Sequence, residues 1–243
     1  MSFGPVAATE HQKSKESGDP VHPKWLYFRY KLFRYRQVEQ EVAKRASVRT
    51  FLDLGCGDGE YLLRFRPLPI NIFGLEVSLP RLEKARRQGL AVLQGTGASL
   101  PFPENSLDMI YIAHVLHHVP DYQKVLAEIK RCLTPDGYVF MIESVTDNPL
   151  LKLGRKIHPV WQGDALEWDW RYDELYAILE EAGFHIEEKD HFNLIFFLWE
   201  IFPLNFWPLE LFTPIFICLD LILAKFFRRY SAHCYFVLQQ TVR

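Results

Sequence analysis

From Thr50 onward, short apolar runs alternate with segments in which apolar residues recur every three or four positions. That alternation predicts strands joined by crossover helices. Strands are expected at Thr50 to Leu54, Ile70 to Leu75, Ala91 to Gln94, Leu107 to Ile112, Tyr138 to Glu143, Phe184 to Asn193 and Cys234 to Gln239. Helices are expected at Gly59 to Arg66, Pro80 to Gln88, Tyr122 to Leu133 and Tyr172 to Ala182, the last closed by Gly183 just past its end. The fold class is therefore α/β.

Three stretches depart from this rhythm. Lys24 to Arg45 reads as a helix in which Trp25, Phe28, Phe33 and Val38 are interleaved with Arg29, Lys31, Arg34 and Arg36. Thr146 to Arg171, carrying Trp161, Trp168 and Trp170 among Asp164, Glu167 and Asp169, is too long and too aromatic for a plain connector and is expected to form a lid. Leu194 to Ser231 holds almost nothing but aliphatic and aromatic residues and three prolines. The expected layout is a loose polar tail over 1–23 and one domain over 24–243, with a lid at 146–171 and an apolar insertion at 194–231.

The chain has 243 residues, 49% hydrophobic and 24% charged, enough to bury one large core, which excludes disordered and fibrous classes. Its formal charge of -2 supplies no broad basic field, so nucleic acid is not an expected partner. Cys56, Cys132, Cys218 and Cys234 are scattered, without the paired spacing of a zinc site or a secreted disulfide frame. With no apolar signal core in Met1 to Pro20, a cytoplasmic location is expected. Aromatic residues, 15% of the chain, crowd Trp25 to Tyr35 and Phe192 to Tyr235.

The first strand ends in Asp53-Leu54-Gly55-Cys56-Gly57-Asp58-Gly59, and a helix follows at once. Glycines there allow a tight turn and close approach to a ligand, and the helix start offers unpaired N–H groups. The spacing is Gly-x-Gly-x-Gly, not the Gly-x-Gly-x-x-Gly of dinucleotide sites, which argues against an oxidoreductase. Glu76 closes the second strand, where a carboxylate can accept both hydroxyls of a ribose.

With these residues the sequence resembles the class I S-adenosylmethionine-dependent methyltransferases, particularly the small-molecule and quinone-biosynthesis branch. The resemblance covers Thr50 to Gly183 and continues in strand order to Gln239. It includes the stretch Gly95 to Asp108, then Val115-Leu116-His117-His118-Val119, then Ile129 to Gly137. It implies a Rossmann-like doubly wound sheet of seven strands, order 3-2-1-4-5-7-6 with the last strand antiparallel, under an aromatic-rich cap. It also implies S-adenosylmethionine as cofactor. Gly55, Gly57 and Gly59 would bracket its methionine part, Asp53 would hold its ammonium through the loop, and Glu76 its ribose. Gly97 and Ala98 would face the adenine and Ala113 would wall the sulfonium, while Cys56 and Val77 complete the set. Thr96 stands where many relatives have an aspartate.

His114, His117 and His118 follow the fourth strand, at the carboxyl edge where ligands bind in such sheets. His114 or His117 can take a proton from the acceptor, and the competing reading is that they cap and pack the next helix. Asp147 and Asn148 sit where catechol-type relatives place magnesium ligands. The partner acid of those enzymes is replaced by Ala113-His114, so Asp147 is read as a cap and no metal is expected. The tryptophans of the lid either cage a cationic amine or close over an apolar substrate. Leu211 to Ala224 is interrupted by Asp220 and is too short to span a bilayer. It is expected either to be buried in a cap or homodimer interface or to lie on a membrane surface, with Lys225, Arg228 and Arg229 reaching for headgroups. The resulting expectation is O- or N-methylation of a small apolar or lipid-linked acceptor. The alternatives are an inactive binding module of the same fold and a dimeric enzyme for a soluble small molecule.

Overall fold

A computed structural model describes residues 37–45, 47–149, 168, 170–194 and 213–241. The expected polar tail, the basic aromatic stretch 24–36, most of the expected lid with Trp161, and 195–212 of the expected insertion lie outside the described residues. The strands are β1 (Thr50–Leu54), β2 (Asn71–Glu76), β3 (Val92–Gln94), β4 (Leu107–Ala113), β5 (Leu133–Ser144), β6 (Phe184–Phe192) and β7 (His233–Gln240). The helices are α1 (Glu60–Phe65), α2 (Leu79–Arg87), α3 (Tyr122–Cys132), α4 (Tyr172–Glu181) and α5 (Thr213–Phe226), and residues 37–44 are also helical.

The strands form one seven-stranded sheet in the order β3-β2-β1-β4-β5-β7-β6. β1, β2, β3, β4 and β5 pair in parallel, and β7 is antiparallel to both β5 and β6. This is the expected order and polarity.

Strand runs are apolar at successive positions because both sheet faces are covered. Along β4, Ile110 and Ile112 join one core cluster while Met109 and Tyr111 join the other. Val139 and Met141 of β5 likewise divide from Phe140 and Ile142. Val125, Leu126 and Ile129 of α3 with Leu175 and Leu179 of α4 cover the first face. Val38 and Val42 of the leading helical segment, Phe65 of α1, and Phe216 and Ile217 of α5 cover the second.

One boundary differs from expectation. β5 begins at Leu133, which pairs with Leu107, and its next paired residue is Tyr138 opposite Met109. Five residues of one strand therefore match two of the other, so Thr134 to Gly137 bulge outward as an irregularity inside the strand. Gly183, at φ 81°, ends α4 in the left-handed conformation its position predicted.

Candidate active site at the carboxyl edge of the sheet

The carboxyl ends of β1, β2, β3 and β4 meet on one edge of the sheet. After Leu54 the chain turns through Gly55 (φ 81°), Gly57 (φ 56°) and Gly59 (φ 85°), all left-handed. Gly55 and Cys56 both donate their N–H to Leu75 O of β2, at 2.8 and 3.1 Å, which ties the loop to the neighbouring strand. A Cβ on Gly55 would lie 2.4 Å from Val115 Cγ2, and one on Gly59 2.3 Å from Leu90 Cδ1. Glycine is thus required there by both backbone angle and space.

Glu76 is buried and its two oxygens are divided. Oε2 accepts the Gly57 N–H at 2.8 Å and Oε1 accepts the Ser78 N–H at 2.8 Å. The carboxylate expected to hold a ribose therefore also holds the glycine loop, and each oxygen keeps a lone pair for a further donor. Val77 beside it is about half exposed. Asp53 is buried under the loop, and its Oδ2 accepts no hydrogen bond among the described residues. Burial first, then the nearby Glu76 charge, raises its carboxyl to about 8. Two buried acids beside each other form a site that favours a positive group. Cys56 is buried against Gly74, and burial, then Asp53 and Glu76, push its thiol up, which makes it an unreactive packing residue.

Gly97 and Ala98 form a turn after β3, partly buried, with the Ser99 N–H donating to Thr96 O at 3.2 Å. Thr96 itself is exposed. A clamp from α3 fixes this loop. Arg131 donates to Leu100 O at 3.1 Å and Phe102 O at 3.0 Å, while Glu128 Oε2 accepts the Leu100 N–H at 2.8 Å. Ala113 ends β4 next to the glycine loop, and His114 follows with φ 55°, a conformation rare for a residue with a side chain. His114 N–H donates to Ile142 O at 2.9 Å, and its Nδ1 lies 3.2 Å from Ser144 Oγ.

His117 is buried, and its Nδ1 lies 2.5 Å from Oε2 of Glu143. Glu143 was not among the residues singled out from the sequence. Its Oε1 accepts the backbone N–H groups of Val115 and Leu116 at 3.1 and 2.9 Å, so this fully buried acid shapes the turn and orients the imidazole. The available signal was an acid closing the otherwise apolar run Tyr138 to Ile142. The His118 ring lies against that of His117, tilted by 52°, with ring centres 4.1 Å apart. Ligand atoms of His114, His117 and Glu143 lie within 4.8 Å of one another, yet both Glu143 oxygens already accept hydrogen bonds.

Asp147 accepts the Tyr172 N–H at 2.8 Å and pairs with Arg171 Nε at 3.2 Å, so it caps α4. Asn148 is buried and donates to Tyr230 O at 2.5 Å. In the stretch expected to form a lid, Trp168 donates its indole N–H to Val119 O at 2.8 Å and lies parallel to Trp170, both edge-on to Tyr122. These rings pack on the turn carrying His117.

A glycine loop on a buried acid pair, at the carboxyl edge of a sheet of this order, is the arrangement that the resemblance to class I S-adenosylmethionine-dependent methyltransferases implies. Residues 52–141 match the family described as Methyltransferase domain. The chain is 34% identical over 129 residues to a demethylmenaquinone methyltransferase of Lactiplantibacillus plantarum, covering 48% of this chain and 52% of that one. It is 27% identical over 150 residues to the sterol 24-C-methyltransferase ERG6B of Gibberella zeae, covering 56% and 39%. A solved S-adenosylmethionine-dependent methyltransferase from Archaeoglobus fulgidus shares the fold with TM-score 0.61 over 88% of this chain and 99% of that one, at 14% identity. The chain spans about half the length of the curated relatives it matches, or less.

Proposed function

We propose that the protein methylates a small apolar or lipid-linked acceptor at oxygen or nitrogen, using S-adenosylmethionine. The observation that carries this reading is the buried Asp53–Glu76 pair beneath a glycine loop that leaves no room for a side chain. Asp53 receives the ammonium of the cofactor and Glu76 the ribose hydroxyls while keeping the loop in place. Gly97 and Ala98 border the adenine, and Ala113 leaves space for the sulfonium. When bound, the cofactor supplies an activated methyl group, so the chain needs mainly to align the acceptor and exclude water.

A proton leaves the acceptor as the new bond forms. His117, with Nδ1 donating to Glu143, offers Nε2 as its acceptor, and His114 stands beside it at the β4 tip. The apolar acceptor is supported by the aromatic packing of Trp168 and Trp170 and by relatives named for menaquinone and sterol methylation. No metal takes part in this reading, because Ala113-His114 stands at the β4 tip in place of the acid that catechol-type relatives carry there, and Asp147 caps α4.

The test is calorimetry with S-adenosylmethionine and with its demethylated product, followed by transfer from methyl-labelled cofactor to demethylquinones and to an organic extract of membranes. Binding of both and labelled product that persists in a strong chelator are expected. Absence of binding removes the reading. Binding with no labelled product from any acceptor favours an inactive module, and loss on chelation with return on adding magnesium shows a metal enzyme.

A further inference from the structure

We propose that the outward face of α5, with the turn after it, is a docking surface for an anionic lipid bilayer. The polarity of this helix is reversed. Its one acid, Asp220, is buried, and Oδ2 accepts the Asn193 N–H at 3.0 Å. Ala224 is buried as well, and Phe216 and Ile217 pack on the sheet. Ile215, Leu219, Ile222 and Phe226 follow one another at spacings of four, three and four residues, which places them on one side of the helix. They are 56%, 42%, 53% and 78% exposed, and Phe227 and Tyr230 extend the patch. A contiguous exposed apolar stripe of this kind marks an interaction surface.

Charge selects the occupant. Lys225 and Arg228 are exposed beside the stripe, and residues 213–230 contain no acid besides the inward Asp220. A second copy laid on the same stripe would bring the same cations and no carboxylate from this helix, whereas anionic headgroups supply the countercharge. At 14 residues the helix is shorter than the ~20 needed to cross a bilayer, and among the described residues no helix is long and apolar enough to do so. It therefore lies in the plane of the surface, apolar side down and cations at headgroup level.

The same helix reaches back to the candidate active site. Asn193, held by Asp220, has its Nδ2 3.1 Å from His233 Nδ1, and the His233 ring centre lies 4.8 Å from that of His114. Docking would thus bring the acceptor side of the site to the lipid, and this purpose, though not the docking itself, rests on the proposed methyl transfer.

Flotation of the full chain with phosphatidylcholine vesicles, with and without phosphatidylglycerol, tests it. Co-flotation with the anionic vesicles alone, falling as salt rises, is expected. Ile222→Asp together with Phe226→Asp should cut the bound fraction about tenfold, and Lys225→Ala and Arg228→Ala about fivefold each. These positions are exposed, and unchanged thermal melting of the variants checks that they fold. A wild-type chain that stays at the bottom at low salt overturns the proposal, whether light scattering then finds a dimer or a monomer. So do aspartate variants that float as well as the wild type, or equal flotation on both vesicles. Flotation needs neither cofactor nor acceptor, so its failure leaves the methyl-transfer reading intact, and absent turnover leaves docking intact.

Discussion

Glu76 serves two structures at once, since it holds the Gly57 and Ser78 N–H groups and is proposed to meet the ribose. Glu76→Ala should therefore cost about 1–3 kcal/mol of S-adenosylmethionine affinity. Glu76→Gln should not restore it, because one carboxamide end turns a donor towards an N–H that needs an acceptor. Unchanged calorimetric affinity in both variants would remove Glu76 from the cofactor site. Asp53 gives a pH signature. Its carboxyl, raised to about 8 by burial and then by Glu76, is protonated in the free protein at neutral pH, and an ammonium placed beside it favours the ionised form. Cofactor binding should release a proton below about pH 8 and strengthen as pH rises to that value. For stability the sign is opposite. The folded chain keeps a proton that the unfolded chain has lost above the ordinary value of 3.8, so stability falls as pH rises from there to about 8. Calorimetry in buffers of different ionisation enthalpy measures the proton release, and Asp53→Asn should abolish it.

Among the elements, strands and helices agree with the hydrophobic pattern to within a residue or two, apart from β5, because each strand is buried on both faces and each helix on one. The exception is instructive. Leu133 looks like the end of α3, and only its pairing with Leu107 makes it the start of β5. The motif running from Ile129 to Gly137 was legible as a resemblance, but its physical purpose was not. Glu128 and Arg131 on one face of α3 hold the backbone of the loop that carries Gly97 and Ala98. Asp147 was read as a cap, and the geometry assigns it to the first N–H of α4. Asp147→Ala should lower stability by about 1 kcal/mol, a fall of about 2–4 °C in melting temperature, with cofactor affinity unchanged. Asp147→Asn, which keeps an acceptor oxygen, should recover most of it. A loss of activity far beyond the loss of stability would show that Asp147 contacts the reacting groups.

Across the whole molecule, the sheet order brings together residues that lie far apart in the chain. Asp53, Glu76, Gly97 and Ala113 could be proposed together as one site from the sequence because each lies at or within a few residues of a strand's carboxyl end, and parallel strands present those ends on one edge. Glycine spacing and the order of apolar runs are local properties that survive without knowledge of contacts, so the fold class was readable from them, while the cofactor followed from the family resemblance that these motifs carry. Glu143 was not readable, since its meaning depends on a turn 26 residues earlier that brings His117 to it. Nor was the direction in which Asp220 points. The sequence shows an acid in an apolar helix, but whether that acid faces solvent or core depends on which side of α5 meets the sheet. In the folded chain it faces inward to Asn193, leaving the apolar stripe outside. Periodicity carries the elements and their order because it reports each residue's burial along one segment. The orientation of a uniformly apolar helix and the pairing of distant polar groups are set by packing between segments, which only the tertiary structure decides.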